Sequence, residues 1–90
     1  MQWVIMTDDL KRQIYFNSLL SGSKLIRNRS VDEIPDHEIL MLNREYAEKQ
    51  YEVMFDSNRR IYKRFKRDEI EQRKNNLDTA NKMLVQYSHV

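Results

Sequence analysis

The chain has a single glycine, Gly22, and a single proline, Pro35, and these are the residue types that sharp turns most often require. Turn-rich β folds need glycine at positions of positive φ, so this scarcity disfavours them and favours helices. The chain has no cysteine, which excludes disulfides, thiolate nucleophiles and cysteine-bearing zinc sites. Because 90 residues suffice for only one small core, the sequence predicts a single all-α domain over residues 1–90.

The first helix has a clear start and a clear end in the sequence. Thr7 is a good N-cap, and the two acidic residues that follow it suit the positive end of a helix dipole. Gly22 suits the left-handed residue that often follows the last turn. The first helix is therefore predicted over about residues 8–21.

A basic connector at residues 22–34 leads to the second helix. Within it, Ser30 and Glu33 match a capping box for a short helical turn. That turn has to end before Pro35, whose ring would clash with the preceding turn, and a new helix can then begin with this proline in its first turn. The second helix is predicted over about residues 35–55.

The second half of the chain predicts two more helices. The polar segment Asp56-Ser57-Asn58 has turn chemistry and predicts the corner of a helical hairpin, although a continuous helix through it is the alternative. A third helix is expected over about residues 59–74, and Asn75-Asn76 is expected to break it before a fourth over about 77–88. The fold class is therefore a small helical bundle or helical hairpin of three to four helices, which oligomerisation would complete.

The net charge of +2 hides an uneven distribution along the chain. Residues 1–29 hold five basic and two acidic side chains, and residues 30–56 hold two basic and eight acidic ones. Residues 57–90 hold nine basic and four acidic ones. Two basic segments thus flank an acidic one, and this asymmetry points to a polyanion or a complementary protein surface as the partner.

The strongest single feature is a basic run at residues 59–67, in which six of nine residues are cationic and none is acidic. On a helix these side chains would share one face, opposite Ile61, Tyr62 and Phe65, and would suit a row of phosphates. The predicted nucleic-acid contacts of this run are Arg59, Arg60, Lys63, Arg64, Lys66 and Arg67. The alternative is pairing with acidic side chains across a hairpin or dimer, or a merely solvated face.

Lys24, Arg27 and Arg29 form a second basic cluster in the connector. With Asn28 and Ser30 beside them, these cations are further candidates for phosphate contacts. The plainer interpretation is an ordinary exposed loop. The nucleic-acid hypothesis gains if both clusters face the same way.

Nine aromatic side chains and five methionines make a large apolar inventory for so short a chain. Core packing accounts for most of them, and the surplus suggests a homo-oligomer or a protein partner. Trp3 is the candidate interface anchor, with a packing role under the first helix as its alternative. The acidic partner-binding candidates are Glu45, Glu48 and Glu52 on the second helix.

The sequence argues against an enzyme. His37 precedes Glu38, but no second histidine follows four residues on, so the zinc metalloprotease pattern fails. The chain also lacks a phosphate-cradling glycine loop, and no metal or cofactor is expected. No secretory signal or run of about 20 apolar residues occurs, so a cytoplasmic protein without a membrane partner is predicted.

In overall style the chain resembles the small early proteins of T-even-type phages. It is short, cysteine-free and rich in Lys, Asn, Ile and Tyr, with stretches such as Arg73-Lys74-Asn75-Asn76. The resemblance covers the whole chain but includes no motif, so it assigns no functional residue. It implies a protein that binds and diverts a component of the host or its defences, in the host cytoplasm.

Two functions follow as hypotheses. The first is a small non-enzymatic nucleic-acid-binding protein, with RNA favoured over DNA, that holds phosphate backbones on basic side chains. The second is a helical protein-interaction module that acts as a phage-type inhibitor or adaptor of a host or defence protein.

Overall fold

The computed structural model describes residues 6–56 and 64–88. These residues form three α-helices, α1 (Asp8–Leu20), α2 (Asp36–Glu52) and α3 (Arg67–Ser88). One-turn 3₁₀ helices lie at Val31–Glu33 and Val53–Phe55. The described residues contain no strand, so the prediction of an all-α protein built as a small helical bundle is confirmed.

Helix α1 begins and ends where the sequence predicts, to within one residue. The Thr7 hydroxyl accepts a hydrogen bond from a backbone N–H of the first turn, so it is the N-cap. At the other end Gly22 has φ of +75°, which a glycine adopts without strain. The Ser23 N–H donates to the Ser18 carbonyl and the Gly22 N–H to the Leu19 carbonyl, which is the Schellman arrangement.

The connector between α1 and α2 contains the predicted capping box. The Ser30 hydroxyl donates to the Glu33 carboxylate at 2.9 Å, and the Ser30 N–H donates to the same oxygen at 3.4 Å. Pro35 then has an extended backbone, with ψ of 154°, and is the N-cap of α2. The second helix therefore begins one residue later than predicted, because the proline stands just outside the first turn.

Helices α2 and α3 form an antiparallel hairpin. Three contacts fix its register: the His37 ring stacks on Tyr87, Arg44 donates to Asn81 at 2.8 Å, and Arg73 donates to the Gln50 carbonyl at 2.8 Å. After the second 3₁₀ turn the backbone at Asp56 is extended, with ψ of 116°. The alternative of one continuous rod through residues 56–58 is therefore wrong.

The predicted break at Asn75-Asn76 is also wrong, because α3 runs through it without interruption. Asparagine costs less than about 1 kcal/mol in a helix interior, which packing readily offsets. The hairpin contacts of Arg73 and Asn81 lie on either side of this pair and hold the helix against α2. One helix therefore replaces the two that were predicted over 59–74 and 77–88.

The start of α3 differs from the prediction as well. Residues 64–66 are not helical, and the helix begins at Arg67 rather than near Arg59. The physical reason lies in the charges, because Asp68 and Glu69 suit the positive end of a helix dipole, whereas a run of cations does not. The earlier part of the predicted helix, residues 59–63, lies outside the described residues.

The main core cluster lies where α1, α2 and the connector meet. It is made of the buried side chains Ile14, Ile26, Ile34, Ile39 and Leu42, with Met6, Leu10, Tyr15 and Leu25 packed against it. Two of its members, Ile26 and Ile34, come from the connector rather than from a helix. The connector is therefore part of the folded core and not an ordinary surface loop.

None of the helices in the described part of the chain combines the length and the apolar character that a membrane crossing requires.

Candidate functional site

Arg29 holds the connector together. Its guanidinium makes two hydrogen bonds with the Glu38 carboxylate, at 3.0 and 3.2 Å. It also donates to the Ile26 carbonyl at 3.1 Å and to the Leu25 carbonyl at 2.8 Å. Four of the five N–H groups that an arginine carries are therefore used inside the protein. The prediction that Arg29 contacts phosphate is corrected: this side chain positions the connector.

The Arg29–Glu38 pair also shifts the titration of both groups. The hydrogen bonds from Arg29 lower the pKa of Glu38, against the opposing effect of burial, and the nearby charges of Arg29, His37 and Arg27 lower it further. The hydrogen bond with Glu38 raises the pKa of Arg29 in turn. Both groups are therefore charged at neutral pH, and the pair ties the connector to the first turn of α2.

A tight turn lies immediately before Arg29. Arg27 and Asn28 both have left-handed backbones, with φ of 52° and 59°, and the Arg29 N–H donates to the Ile26 carbonyl at 3.1 Å. A left-handed arginine is strained by about 1–2 kcal/mol. The turn persists because the Tyr15 hydroxyl donates to the Arg29 carbonyl at 2.8 Å, in addition to the bonds of the Arg29 guanidinium.

An open cavity of about 650 Å³ lies beside this turn. Tyr15 and Leu19 of α1 form one wall, and connector residues 23–24 and 26–30 form the other. Lys24 and Arg27 are exposed at its edge, and neither makes an ion pair with another described residue. Two of the three predicted connector cations are thus available to a ligand beside a partly apolar cavity.

The described part of the basic run, residues 64–67, does not have the conformation that the sequence predicts. Arg59, Arg60 and Lys63 lie outside the described residues, while Arg64, Lys66 and Arg67 are exposed. Of these, Arg67 pairs with Glu71 at 3.3 Å across one turn of α3. Since residues 64–66 are not helical, the proposed single basic helix face over residues 59–67 is wrong in the part that the structure describes.

The aromatic residue of this segment has a specific neighbour. Phe65 is half-buried, and the Arg73 guanidinium lies 4.9 Å from the centre of its ring. This is a cation–π distance, and the same guanidinium donates to Gln50 and to Glu69. Arg73 therefore anchors the segment before α3 to the end of α2.

The two basic clusters lie toward opposite ends of α2. The connector is tied to Glu38 in the first turn, and the start of α3 is tied through Arg73 to Gln50 near the last turn. Glu38 and Gln50 are about 18 Å apart along the helix axis, at 1.5 Å per residue. The structure therefore does not bring the described cations of the two clusters into one patch.

The predicted acidic partner-binding residues make local ion pairs. Glu45 pairs with Lys49 at 3.4 Å and Glu48 with Arg44 at 3.9 Å, both within α2. Glu52 is exposed near the end of the helix. The prediction for Trp3 falls outside the described residues.

The outer side of α1 is apolar near its end. Phe16, Leu19 and Leu20 are 55%, 50% and 87% exposed, and they follow one another at helical spacing. Leu19 also lines the cavity beside the connector, while Phe16 packs edge-on against Tyr15, with 5.6 Å between the ring centres. The apolar row is thus continuous with the wall of the cavity.

The described residues contain no group of three or more histidine and acidic side chains arranged to hold a metal ion. Comparison of the chain with protein-family models, with curated proteins and with solved structures gave no match. The functional interpretation therefore depends on the geometry of the connector and of its neighbours.

Sequence reasoning did not anticipate the role of Tyr15 and Glu38. Tyr15 has the helical spacing of a core residue. Its second role is to hold the connector, because its hydroxyl donates a hydrogen bond to the Arg29 carbonyl, 14 positions away. Glu38 sits in the first turn of α2, where an acid is expected for the helix dipole alone. The capping box of Ser30 and Glu33 was an available signal, because it places the connector directly before the first turn of α2.

Proposed function

We propose that this protein binds the phosphate backbone of a nucleic acid, and RNA in preference to DNA, without catalysing a reaction. The observation that carries the proposal is the pair of exposed cations, Lys24 and Arg27, which lack ion-pair partners among the described residues and border an open cavity. When such cations neutralise phosphates, the counterions condensed on the nucleic acid are released, and this release supplies the affinity.

The contrast with the other cations supports this choice. Cations with acidic partners in the described part of the chain are Lys11, Arg12, Arg29, Arg44, Lys49, Arg67 and Arg73. A cation that already has a carboxylate must give up that contact to bind a phosphate. Arg64, Lys66, Lys74 and Lys82 are also exposed and have no acidic partner among the described residues, but none of them lines the cavity beside the connector. Arg64 and Lys66 act as secondary contacts, and Arg59, Arg60 and Lys63 are proposed as further contacts from the same basic run.

RNA is favoured over duplex DNA because the connector cations stand on a tight turn beside a cavity. Proteins that read duplex DNA usually place a helix or a strand pair in the major groove. RNA recognition more often uses loops, bulges and unpaired bases, which fit against pockets. The protein would act in the cytoplasm, that of the host if a phage encodes it.

The test is binding of a labelled oligouridine of about 12 nucleotides, followed by fluorescence anisotropy at several salt concentrations. The double variant Lys24→Glu/Arg27→Glu should weaken binding at least about tenfold. The matched control is Lys74→Glu/Lys82→Glu, which reverses two exposed cations of α3 and should change affinity less than about threefold. Equal losses in the two variants, or no salt-dependent binding by the wild type, would refute the proposal.

One observation favours a second candidate, a helical protein-interaction module of the inhibitor or adaptor type. The side chains of Phe16 and Leu20 are more than half exposed, which is costly for apolar groups with no partner. A self-association through this row would make the protein a homo-oligomer. Light scattering during gel filtration tests it, because Leu20→Asp should then convert an oligomeric wild type into a monomer.

A further inference from the structure

The cavity beside the connector has two kinds of wall. On the α1 side stand Tyr15 and the half-exposed Leu19, and on the connector side stand Lys24, Arg27 and Asn28. Phosphate binding by itself needs only the cations. An apolar wall next to them implies that something less polar than a phosphate also enters the cavity.

The size and the chemistry of the cavity fit one nucleotide. Its volume is about 650 Å³ and it is wide open to solvent, so a base can enter it from the surface. A base has two apolar faces, which suit Tyr15 and Leu19, and a polar edge. The Asn28 amide is exposed at this site and makes no hydrogen bond with the described residues, so it is free to bond that edge.

We infer that the cavity receives a single unpaired base of the nucleic acid while Lys24 and Arg27 hold the adjacent phosphates. The inference rests on the proposed function and specifies its ligand class: a single strand or an RNA loop rather than a duplex. In a duplex each base is stacked and paired, so it cannot reach the wall formed by Tyr15 and Leu19. The bases of a single strand are unpaired, so one of them can enter the cavity without breaking a base pair.

The site is formed before the ligand arrives. Arg29 and the Tyr15 hydroxyl fix the turn that carries Arg27 and Asn28, so little ordering is left for the binding step. A preformed site loses less entropy on binding than a mobile loop does. The strain of the left-handed Arg27 is thereby compensated within the free protein.

The experiment compares the oligouridine with an RNA duplex of about 12 base pairs at the same salt concentration, using the full-length protein. The wild type should bind the single strand at least about tenfold more tightly. Leu19→Ala should weaken single-strand binding about three- to tenfold and leave duplex binding unchanged. Val85→Ala is the control, because Val85 is an exposed apolar side chain, 55% exposed, that lies on α3 and does not line the cavity.

The outcomes separate the two proposals. Equal affinity for strand and duplex, together with identical behaviour of Leu19→Ala and Val85→Ala, would overturn the base site and leave phosphate binding intact. If Lys24→Glu/Arg27→Glu loses binding while Leu19→Ala has no effect, the base site is likewise overturned and phosphate binding stands. Failure of the wild type to bind either RNA would overturn both proposals. Circular dichroism checks that each variant keeps its helical content.

Discussion

The connector and the segment at the start of α3 look alike in sequence, since each is a cluster of lysine and arginine next to polar residues. In the structure they differ in what surrounds the charges. The connector contributes Ile26 and Ile34 to the core and is held by Arg29. Residues 64–66 are not helical, and the cations of residues 64–67 are exposed. Charge density alone therefore does not identify a binding surface. A cluster suits an anionic ligand better when its cations have no acidic partner and when the backbone that carries them is fixed by the fold.

The largest expected effect concerns the core of the connector. Ile34 is 1% exposed, so Ile34→Ala should lower the free energy of unfolding by about 2–5 kcal/mol. Urea denaturation followed by circular dichroism measures this change. Phe65→Ala, in the segment before α3, should cost clearly less because Phe65 is only half-buried. Similar losses at the two positions would show that both segments belong equally to the core.

The connector begins where α1 ends, and the left-handed backbone of Gly22 ends this helix. Gly22→Ala should lower the free energy of unfolding by about 1–2 kcal/mol, because alanine is strained at positive φ. No atom lies within 4 Å of the position that a Cβ would occupy, so the cost is conformational and not steric. Gly22→Asn should recover part of the loss, since asparagine tolerates the left-handed conformation. Equal stability of the alanine variant and the wild type in thermal unfolding would contradict this.

The Arg29–Glu38 pair predicts that the connector is sensitive to acid. The pKa of Glu38 is lowered in the folded protein, so its ionised form stabilises the fold above the pKa that this carboxylate has in the unfolded chain. That stabilisation should be lost as the pH falls from about 5 through the lower, folded-state pKa. Glu38→Gln should therefore lose stability at pH 7 and show a weaker decline in acid than the wild type.

The matched control for this experiment is Glu52→Gln. Glu52 is exposed near the end of α2 and forms no ion pair with the described residues. Its neutralisation should leave the acid-induced decline in melting temperature unchanged. If Glu38→Gln and Glu52→Gln follow the same pH profile, the pair with Arg29 does not stabilise the connector.

The smallest effect is expected for the exposed cations of the start of α3. Arg64→Glu/Lys66→Glu should change the free energy of unfolding by no more than about 0.5 kcal/mol per substitution, because both side chains are exposed and neither has an ion pair among the described residues. Chemical denaturation checks this. A large loss would mean that the segment is held as firmly as the connector.

The sequence was sufficient to predict the bounds of helix ends that carry distinct capping or turn residues. Thr7 and Gly22 define α1, and the capping box with Pro35 places the start of α2 within one residue. Asn75-Asn76 misled the prediction because local propensity is weak compared with packing across the hairpin. The continuity of α3 depends on its contacts with α2, which no local pattern encodes.

The candidate site was only partly predictable from the sequence. Lys24 and Arg27 were identified as cations of the connector, and they are the ones that remain available. Arg29 has the same charge and nearly the same position in the chain, yet its guanidinium is used by Glu38 and by two carbonyls. Charge and spacing cannot separate these residues, because the difference comes from tertiary hydrogen bonds. The cavity itself needs α1 beside the connector, which only the fold provides.

We propose that the connector is the principal site for the nucleic acid and that the start of α3 is a secondary one. The most direct measurement compares oligouridine affinity for two variants with equal changes of charge, Lys24→Glu/Arg27→Glu and Arg64→Glu/Lys66→Glu, at one salt concentration. The connector variant should lose at least about five times more affinity than the α3 variant, because the turn that carries Arg27 is preorganised beside the cavity. Equal losses, or a larger loss in the Arg64→Glu/Lys66→Glu variant, would contradict the claim.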